Sequence, residues 1–189
     1  MLGKINTAIF ISGRGSNLKN LIKFSKKKDN PIKIILVVSN NKNAKGLIYA
    51  KNNNIPFLVC NFKNKNSSEK KIIKRLKKTK VELICLAGFM IILTSNFIKK
   101  YNKTILNIHP SLLPKYKGLN THERVINNNE KFTGSTVHLV NAKLDSGKII
   151  LQRKIKILKN DSPKSLEKKI LKLEYKLYPD AILKFFSNF

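Results

Sequence analysis

An amide and an imidazole two residues apart, Asn107 and His109, are the side chains whose types and spacing most plainly suit chemistry. They stand in Asn107-Ile108-His109-Pro110-Ser111-Leu112-Leu113-Pro114, at the end of an apolar run. On an extended chain side chains repeat every two residues, so both point the same way. Side by side they could both donate to one developing oxyanion. Two prolines bracket the loop and stiffen it. The plainer alternative is a satisfied loop histidine beside a turn-forming asparagine. A third group is Asp145, in Leu144-Asp145-Ser146-Gly147. It reads either as a turn aspartate or as a carboxylate that orients His109 and raises its pKa. His122 and His138 read as structural or peripheral.

A second candidate is Ser12-Gly13-Arg14-Gly15-Ser16-Asn17, between an apolar run and a helical pattern. Two glycines let the backbone approach a ligand closely, and a helix N-terminus offers free N–H groups to a phosphate. An ordinary strand-to-helix turn capped by Ser16 or Asn17 is the alternative. A nicotinamide cofactor fits poorly. Leu18 stands where the dinucleotide fingerprint has its third glycine, and the second strand ends in Ser39-Asn40 with no acid for a ribose. A Walker-type loop is excluded because no Gly-Lys-Ser/Thr ending follows.

These groups need a scaffold, and hydrophobic periodicity supplies one. Residues 7–12, 32–38, 55–60, 82–87 and 104–108 read as apolar strands. Between them, 17–27, 44–52, a stretch capped by Ser67, and the region around 95–101 read as helices. Continuous apolar strands alternating with helices predict an α/β fold: an open, doubly wound, mostly parallel sheet with helices on both faces. The fifth strand then delivers Asn107 and His109 to the carboxyl edge of the sheet, where such folds bind ligands. In the last third, 135–140 and 148–157 read as strands joined by the Asp145 turn. Ser162-Pro163 opens a final amphipathic helix. No internal repeat or long linker divides the chain, so 1–189 reads as a single domain.

Composition bounds the function class. Lys and Arg total 39 against 10 Asp and Glu, a formal net charge of +29. This suits a nucleic-acid or membrane-surface protein, or else compositional drift. Lysine and asparagine run together throughout, arginine is scarce, and no aromatic-basic patch stands out. Drift is the preferred reading, with no specific nucleic acid and no membrane as partner. No apolar run approaches the roughly 18 residues of a membrane span, and no signal peptide is seen. Cys60 and Cys85 sit in apolar runs and read as reduced core residues of a cytoplasmic protein. No Cys/His spacing suits a metal.

Together, the glycine loop, Leu86-Ala87-Gly88-Phe89-Met90, the block from Asn107 to Tyr116, Gly134-Ser135-Thr136-Val137-His138 and Leu144-Asp145 resemble the phosphoribosylglycinamide formyltransferase family. The match runs from the first strand to the final helix. The resemblance implies a Rossmann-like formyltransferase fold and transfer of a formyl group from 10-formyltetrahydrofolate, the co-substrate, to the amine of glycinamide ribonucleotide. It implies Asn107, His109 and Asp145 as the catalytic trio, with a protonated His109 helping to hold the oxyanion. It assigns Gly15, Ser16 and Asn17 to the ribonucleotide phosphate and Glu174 to its ribose hydroxyls. It gives the folate to Lys65, Met90, Ile91, Ile92, Leu93, Asn107, Asn141, Ala142, Lys143 and Leu144. Ile91, Asn120 and Lys148 depart from the arginine, histidine and proline common in the family. The rivals are an enzyme of the same core acting on methionyl-tRNA, whose extra C-terminal domain finds no room here, and a non-catalytic basic nucleic-acid-binding protein.

Overall fold

The structure, a computed structural model, describes residues 4–187. Along the chain come β1 (Ile5–Ile11), α1 (Ser16–Ser25), β2 (Ile32–Ser39), α2 (Leu47–Lys51), β3 (Phe57–Val59), α3 (Lys65–Lys78) and β4 (Leu83–Leu86). They are followed by α4 (Ser95–Tyr101), β5 (Thr104–His109), α5 (Thr121–Asn127), β6 (Phe132–Leu139), β7 (Ile149–Lys156) and α6 (Pro163–Phe186). The strands are ordered β3-β2-β1-β4-β5-β6-β7 in a seven-stranded sheet. β1 pairs in parallel with β2 and β4, and β2 in parallel with β3, while β6 and β7 are antiparallel. This is the open, mostly parallel α/β sheet that the apolar runs require. Two compact units divide the chain, the first ending at Leu106 and the second beginning at Asn107, inside β5.

In the first unit, the middles of β1, β2 and β4 are buried on both faces, as parallel strands covered by helices must be. Leu18, Leu21, Ile22 and Phe24 form the buried stripe of α1. Phe10 meets Phe89 and Phe97 edge-on. Two N-termini differ from expectation. Asn64, not Ser67, caps α3, accepting from the Ser67 N–H at 2.9 Å, so the helix starts earlier. Gly15, in the left-handed region at φ 70°, occupies the cap position of α1, with no side-chain cap from Ser16 or Asn17.

In the second unit, α6 packs on β6, β7 and α5, with Val125, Leu166 and Ile170 at its centre. Ser162 and Ser165 form a reciprocal capping box and Pro163 takes the first turn, the pattern that stops helix fraying. Helix α5 has no counterpart in the sequence reading. It is seven residues long, buries only Thr121 and Val125, and has no side-chain cap, so it leaves almost no periodic signal. Among the described residues no helix is long and apolar enough to cross a membrane.

β6 begins at Phe132, three residues before the predicted start at 135, because Gly134 is part of the ladder opposite Lys154. A Cβ on Gly134 would lie 2.0 Å from the Arg153 carbonyl oxygen and 2.6 Å from Leu112 Cδ2. One of those contacts is backbone and cannot yield cheaply. Gly134→Ala is expected to lower unfolding stability by at least about 2 kcal/mol, as overpacking does. Urea denaturation checks this, and an unchanged midpoint would mean that the ladder adjusts freely.

Candidate active site

In the first unit β1 runs directly into the glycine loop. The strand order reverses between β1 and β4, and open α/β sheets bind ligands outside the carboxyl ends of strands at such a point. Here the two strand ends are tied together. The Ser12 N–H donates to the Gly88 carbonyl at 3.0 Å, and Ser12 Oγ accepts from the Met90 N–H at 2.7 Å. Behind the loop lies Gly46, whose N–H donates to the Gly13 carbonyl at 2.9 Å. A Cβ on Gly15 would fall 2.5 Å from Gly46 Cα, and one on Gly46 would fall 2.8 Å from Gly15 Cα. Backbone presses on backbone, so both positions need glycine for space, and Gly15 also for its positive φ. Asn17 is buried in the first turn of α1, Ser16 half-buried.

The second unit gathers the titratable groups. Asp145 is 9 % exposed, and its Oδ2 accepts from the Gly118 N–H at 2.8 Å. His109 Nδ1 lies 3.5 Å from that same oxygen. On the other side Oδ1 sits 3.5 Å from Asn107 Nδ2 and 3.6 Å from His138 Nε2. The expected trio of Asn107, His109 and Asp145 therefore converges, and His138 joins it. His138 Nδ1 is 2.8 Å from the Leu139 carbonyl, and a carbonyl only accepts, so Nδ1 carries the proton. Nε2 is left to accept from the Asn107 amide at 3.1 Å. Sequence reading set His138 aside. Its place near the end of a strand gives no sign that a loop carboxylate will reach it.

The loop after β5 is pinned to β6 and β7. Ser111 Oγ donates to the Lys115 carbonyl at 2.7 Å, the Leu113 N–H to Thr136 Oγ1 at 3.2 Å, and Gln152 Nε2 to the Leu113 carbonyl at 3.0 Å. The Leu113–Pro114 peptide bond is cis. Tyr116 closes the loop in the left-handed region at φ 56°, and its carbonyl accepts from His109 Nε2 at 2.8 Å. Asp145 is also left-handed, at φ 45°. Such backbone persists in non-glycine residues only where the surroundings hold it, and it clusters at functional sites.

Burial decides the protonation of His109. It pushes the imidazole below its ordinary value of 6.5, outweighing the upward pull of the Tyr116 carbonyl and the Asp145 carboxylate. The neighbouring His138 and Arg124 add to the lowering. Asp145 thus raises the His109 pKa as expected, but the net shift is downward. At neutral pH the free protein holds a neutral His109, not the protonated one predicted. For Asp145, burial alone would raise the pKa. The contact with His138, the Gly118 N–H and the positive charge of either imidazole outweigh it, so the carboxyl stays below the usual aspartate value. The pair is therefore a neutral imidazole beside an ionised carboxylate. Among the described residues no cluster of His, Cys, Asp and Glu is arranged to hold a metal ion.

A family model described as formyl transferase matches residues 5–182. The chain belongs to the formyl transferase family. A phosphoribosylglycinamide formyltransferase of Haemophilus influenzae is 44 % identical over 184 residues, covering 96 % of this chain and 86 % of that protein. The trifunctional purine biosynthetic protein adenosine-3 of Bos taurus is 38 % identical over 95 % of this chain, which spans only 18 % of that longer protein. The crystal structure of phosphoribosylglycinamide formyltransferase from Anaplasma phagocytophilum superposes with a TM-score of 0.88 at 40 % identity, covering 95 % of this chain and 85 % of that one.

The remaining residues assigned by resemblance to this formyl transferase fall as follows. Lys65 opens α3, half-buried. Met90 and Ile92 are exposed at 60 % and 59 %, Ile91 is half-buried and Leu93 buried. Asn141, Ala142, Lys143 and Leu144 lie exposed on the loop before Asp145, where Asn141 Oδ1 accepts from the Lys143 N–H at 2.9 Å. Glu174 is buried on α6, with its Oε1 3.0 Å from Ser135 Oγ. Gly46 had no sequence signal at all, since nothing local marks a glycine that packs on a distant one.

The electrostatic account yields a test. Asp145→Asn keeps the shape and suits a left-handed backbone, but removes an influence that raises the His109 pKa. The His109 titration, followed by ring NMR, is expected to move to still lower pH in the folded variant. An unchanged titration would reduce Asp145 to a turn residue.

Proposed function

We propose that this chain transfers the formyl group of 10-formyltetrahydrofolate to the amine of glycinamide ribonucleotide, a step of purine biosynthesis carried out in the cytoplasm. The observation that carries this reading is the convergence of Asn107, His109 and Asp145 in a formyl transferase whose near-full-length relatives bear that activity in their names. The glycine loop supports a phosphate seat at Gly15, Ser16 and Asn17. By resemblance, Glu174 takes the ribose hydroxyls. Met90, Ile91, Ile92, Leu93, Asn141, Ala142, Lys143 and Leu144 receive the pterin, largely through backbone groups, and Lys65 takes the glutamate tail.

The reaction follows from the groups. The substrate amine attacks the formyl carbon, a C–N bond forms, and the carbonyl oxygen becomes an oxyanion. Asn107 has two amide hydrogens. One is held by His138 at 3.1 Å, and the other, 3.5 Å from Asp145, is weakly engaged and can turn to the oxyanion. A preorganised donor of this kind accounts for roughly 100- to 1000-fold in rate. Neutral His109 accepts the proton the amine releases, directly or through water. Asp145 stabilises the imidazolium so formed, as a buried carboxylate does beside a general base. When the tetrahedral species collapses, the bond to the folate nitrogen breaks and that nitrogen takes a proton.

Folate absorbance, followed with and without glycinamide ribonucleotide, tests the reading: turnover must require the ribonucleotide. Asn107→Ala and His109→Ala are each expected to lower kcat at least about 100-fold, and near-normal turnover in either removes that residue from the mechanism. Because the neutral imidazole is the working form and burial holds its pKa below the ordinary histidine value, the rate of the unaltered chain is expected to fall only in more acid solution than that value. A rate that rises there would favour the protonated form. Gly46→Ala, which displaces the glycine loop from behind, is expected to raise KM for the ribonucleotide while leaving that for the folate nearly unchanged. The opposite pattern would place the phosphate elsewhere.

A further inference from the structure

One peptide group in the second unit is held at both ends. The Gly118 N–H donates to Asp145 Oδ2 at 2.8 Å. The carbonyl of that same peptide, on Lys117, accepts from Arg124 Nη1 at 2.7 Å. A planar trans peptide points its oxygen and its hydrogen in opposite directions, so guanidinium, peptide and carboxylate join in one chain. Hydrogen bonds in such a chain polarise one another. The cation at one end therefore makes the N–H at the other a better donor to Asp145.

The hold matters because this peptide has an alternative. Gly118 has φ 78°, between Tyr116 and Asn120 at 56° each. A glycine admits negative φ as readily, and the peptide ahead of it then turns over, as it does between turns of types I and II. Turned over, it would bring an oxygen against the Asp145 carboxylate in place of a hydrogen. Arg124 is placed to prevent this. Nη1 also lies 3.4 Å from the Leu119 carbonyl, so it faces carbonyls on either side of Gly118. Its guanidinium lies over the Tyr116 ring, 5.3 Å from the centroid. That ring is itself anchored: its hydroxyl donates to Glu130 Oε1 at 2.8 Å and accepts from Asn128 Nδ2 at 3.0 Å. The Tyr116 carbonyl is the one that accepts from His109 Nε2. A separate tie, from Lys117 Nζ to Ser146 Oγ at 2.5 Å, keeps the loop beside the Asp145 turn without Arg124.

We propose that Arg124 is a positioning residue for formyl transfer: its guanidinium holds the Lys117–Gly118 peptide in the orientation that turns the Gly118 N–H to Asp145. The effect on rate rests on the formyl-transfer reading, and the grip on the peptide does not. With the N–H in place, Asp145 Oδ2 stays beside His109 Nδ1, 3.5 Å away, ready for the imidazolium that the reaction forms. With the peptide turned over, that oxygen loses its backbone donor and the imidazolium loses a fixed partner.

Lys-Gly pairs occur only twice in the sequence, at Lys45-Gly46 and Lys117-Gly118. Lysine labelled at the carbonyl carbon and glycine labelled at nitrogen therefore give two NMR signals from the full chain. One reports both ends of the gripped peptide. The other, from Gly46 behind the glycine loop, serves as a reference for the fold. Arg124→Met removes the donors and the charge but keeps a long chain that can lie on the Tyr116 ring. In it the Lys117 carbonyl carbon and the Gly118 amide proton are both expected to move to higher field, with the Gly46 signal in place. kcat is expected to fall at least about ten-fold, as loss of a charged hydrogen bond allows. Arg124→Lys keeps the charge without the fork, and is expected to fall between the two in both readouts. It carries the same test if Arg124→Met does not fold. A Gly118 signal that stays in place in both variants, or normal turnover once it has moved, would overturn the proposal. Absence of ribonucleotide-dependent turnover in the unaltered chain would sink the formyl-transfer reading alone, and the two signals would still decide whether Arg124 holds the peptide.

Discussion

A carboxylate buried among neutral groups is the constraint on which the second unit turns. An ionised acid taken out of water is tolerated only where donors replace the water. Asp145 meets that demand with the Gly118 N–H and the Asn107 amide, and the rings of His109 and His138 close around it. These groups come from three parts of the chain. Gly118 must sit in the loop after β5, His138 on β6, and Asn107 and His109 on β5 itself. Satisfying one charge therefore fixes the path of three segments. The left-handed backbone at Asp145 and Tyr116 is the strain that this closure stores. Folding and chemistry share a single requirement here, which explains why the site is held so closely around a group that costs stability to bury.

Much of this was legible from residue order. The apolar runs foretold the parallel strands because a strand buried on both faces needs no alternation. The spacing of Asn107 and His109 foretold their convergence because extended side chains repeat in twos. What stayed hidden was whatever depends on distant partners. His138 looks like a strand residue until Asp145 is folded against it. Gly46 matters only because Gly15 comes within touching distance. Gly134 lies just outside the strand read from 135, and it is a full member of the ladder, where the Arg153 carbonyl leaves room for nothing larger. The His109 charge state was misjudged for a related reason. The carboxylate is visible in sequence, but the burial that outweighs it belongs to the fold.

The scarcity of acids gives the few that remain a clear distribution. With 10 acidic residues against 39 basic ones, the simplest expectation puts carboxylates on the surface as counter-charges. Yet Glu69, Asp145 and Glu174 are all buried. Glu69 accepts from both the N–H and the hydroxyl of Thr94, at 2.9 and 2.5 Å, and so joins α3 to the cap of α4. Asp161 gathers Lys169, Ser165 and the Leu158 N–H ahead of α6, which draws its pKa down to about 2. Exposed ion pairs contribute little to stability, and a lysine-rich surface can drift widely at small cost. Acids that organise backbone cannot be exchanged in that way.

Ser12 joins two segments that the proposed reaction gives to different molecules, the glycine loop and the stretch at Met90. Its hydroxyl accepts from the Met90 N–H while its own N–H reaches the Gly88 carbonyl. Displacing either segment therefore disturbs a bond that the other shares, and any effect of one bound molecule on the other has a route through it. Thermodynamic linkage makes such an effect mutual: whatever factor one bound molecule adds to the affinity for the second, the second returns to the first. A single serine oxygen thus ties the placement of one segment to that of the other within the first unit.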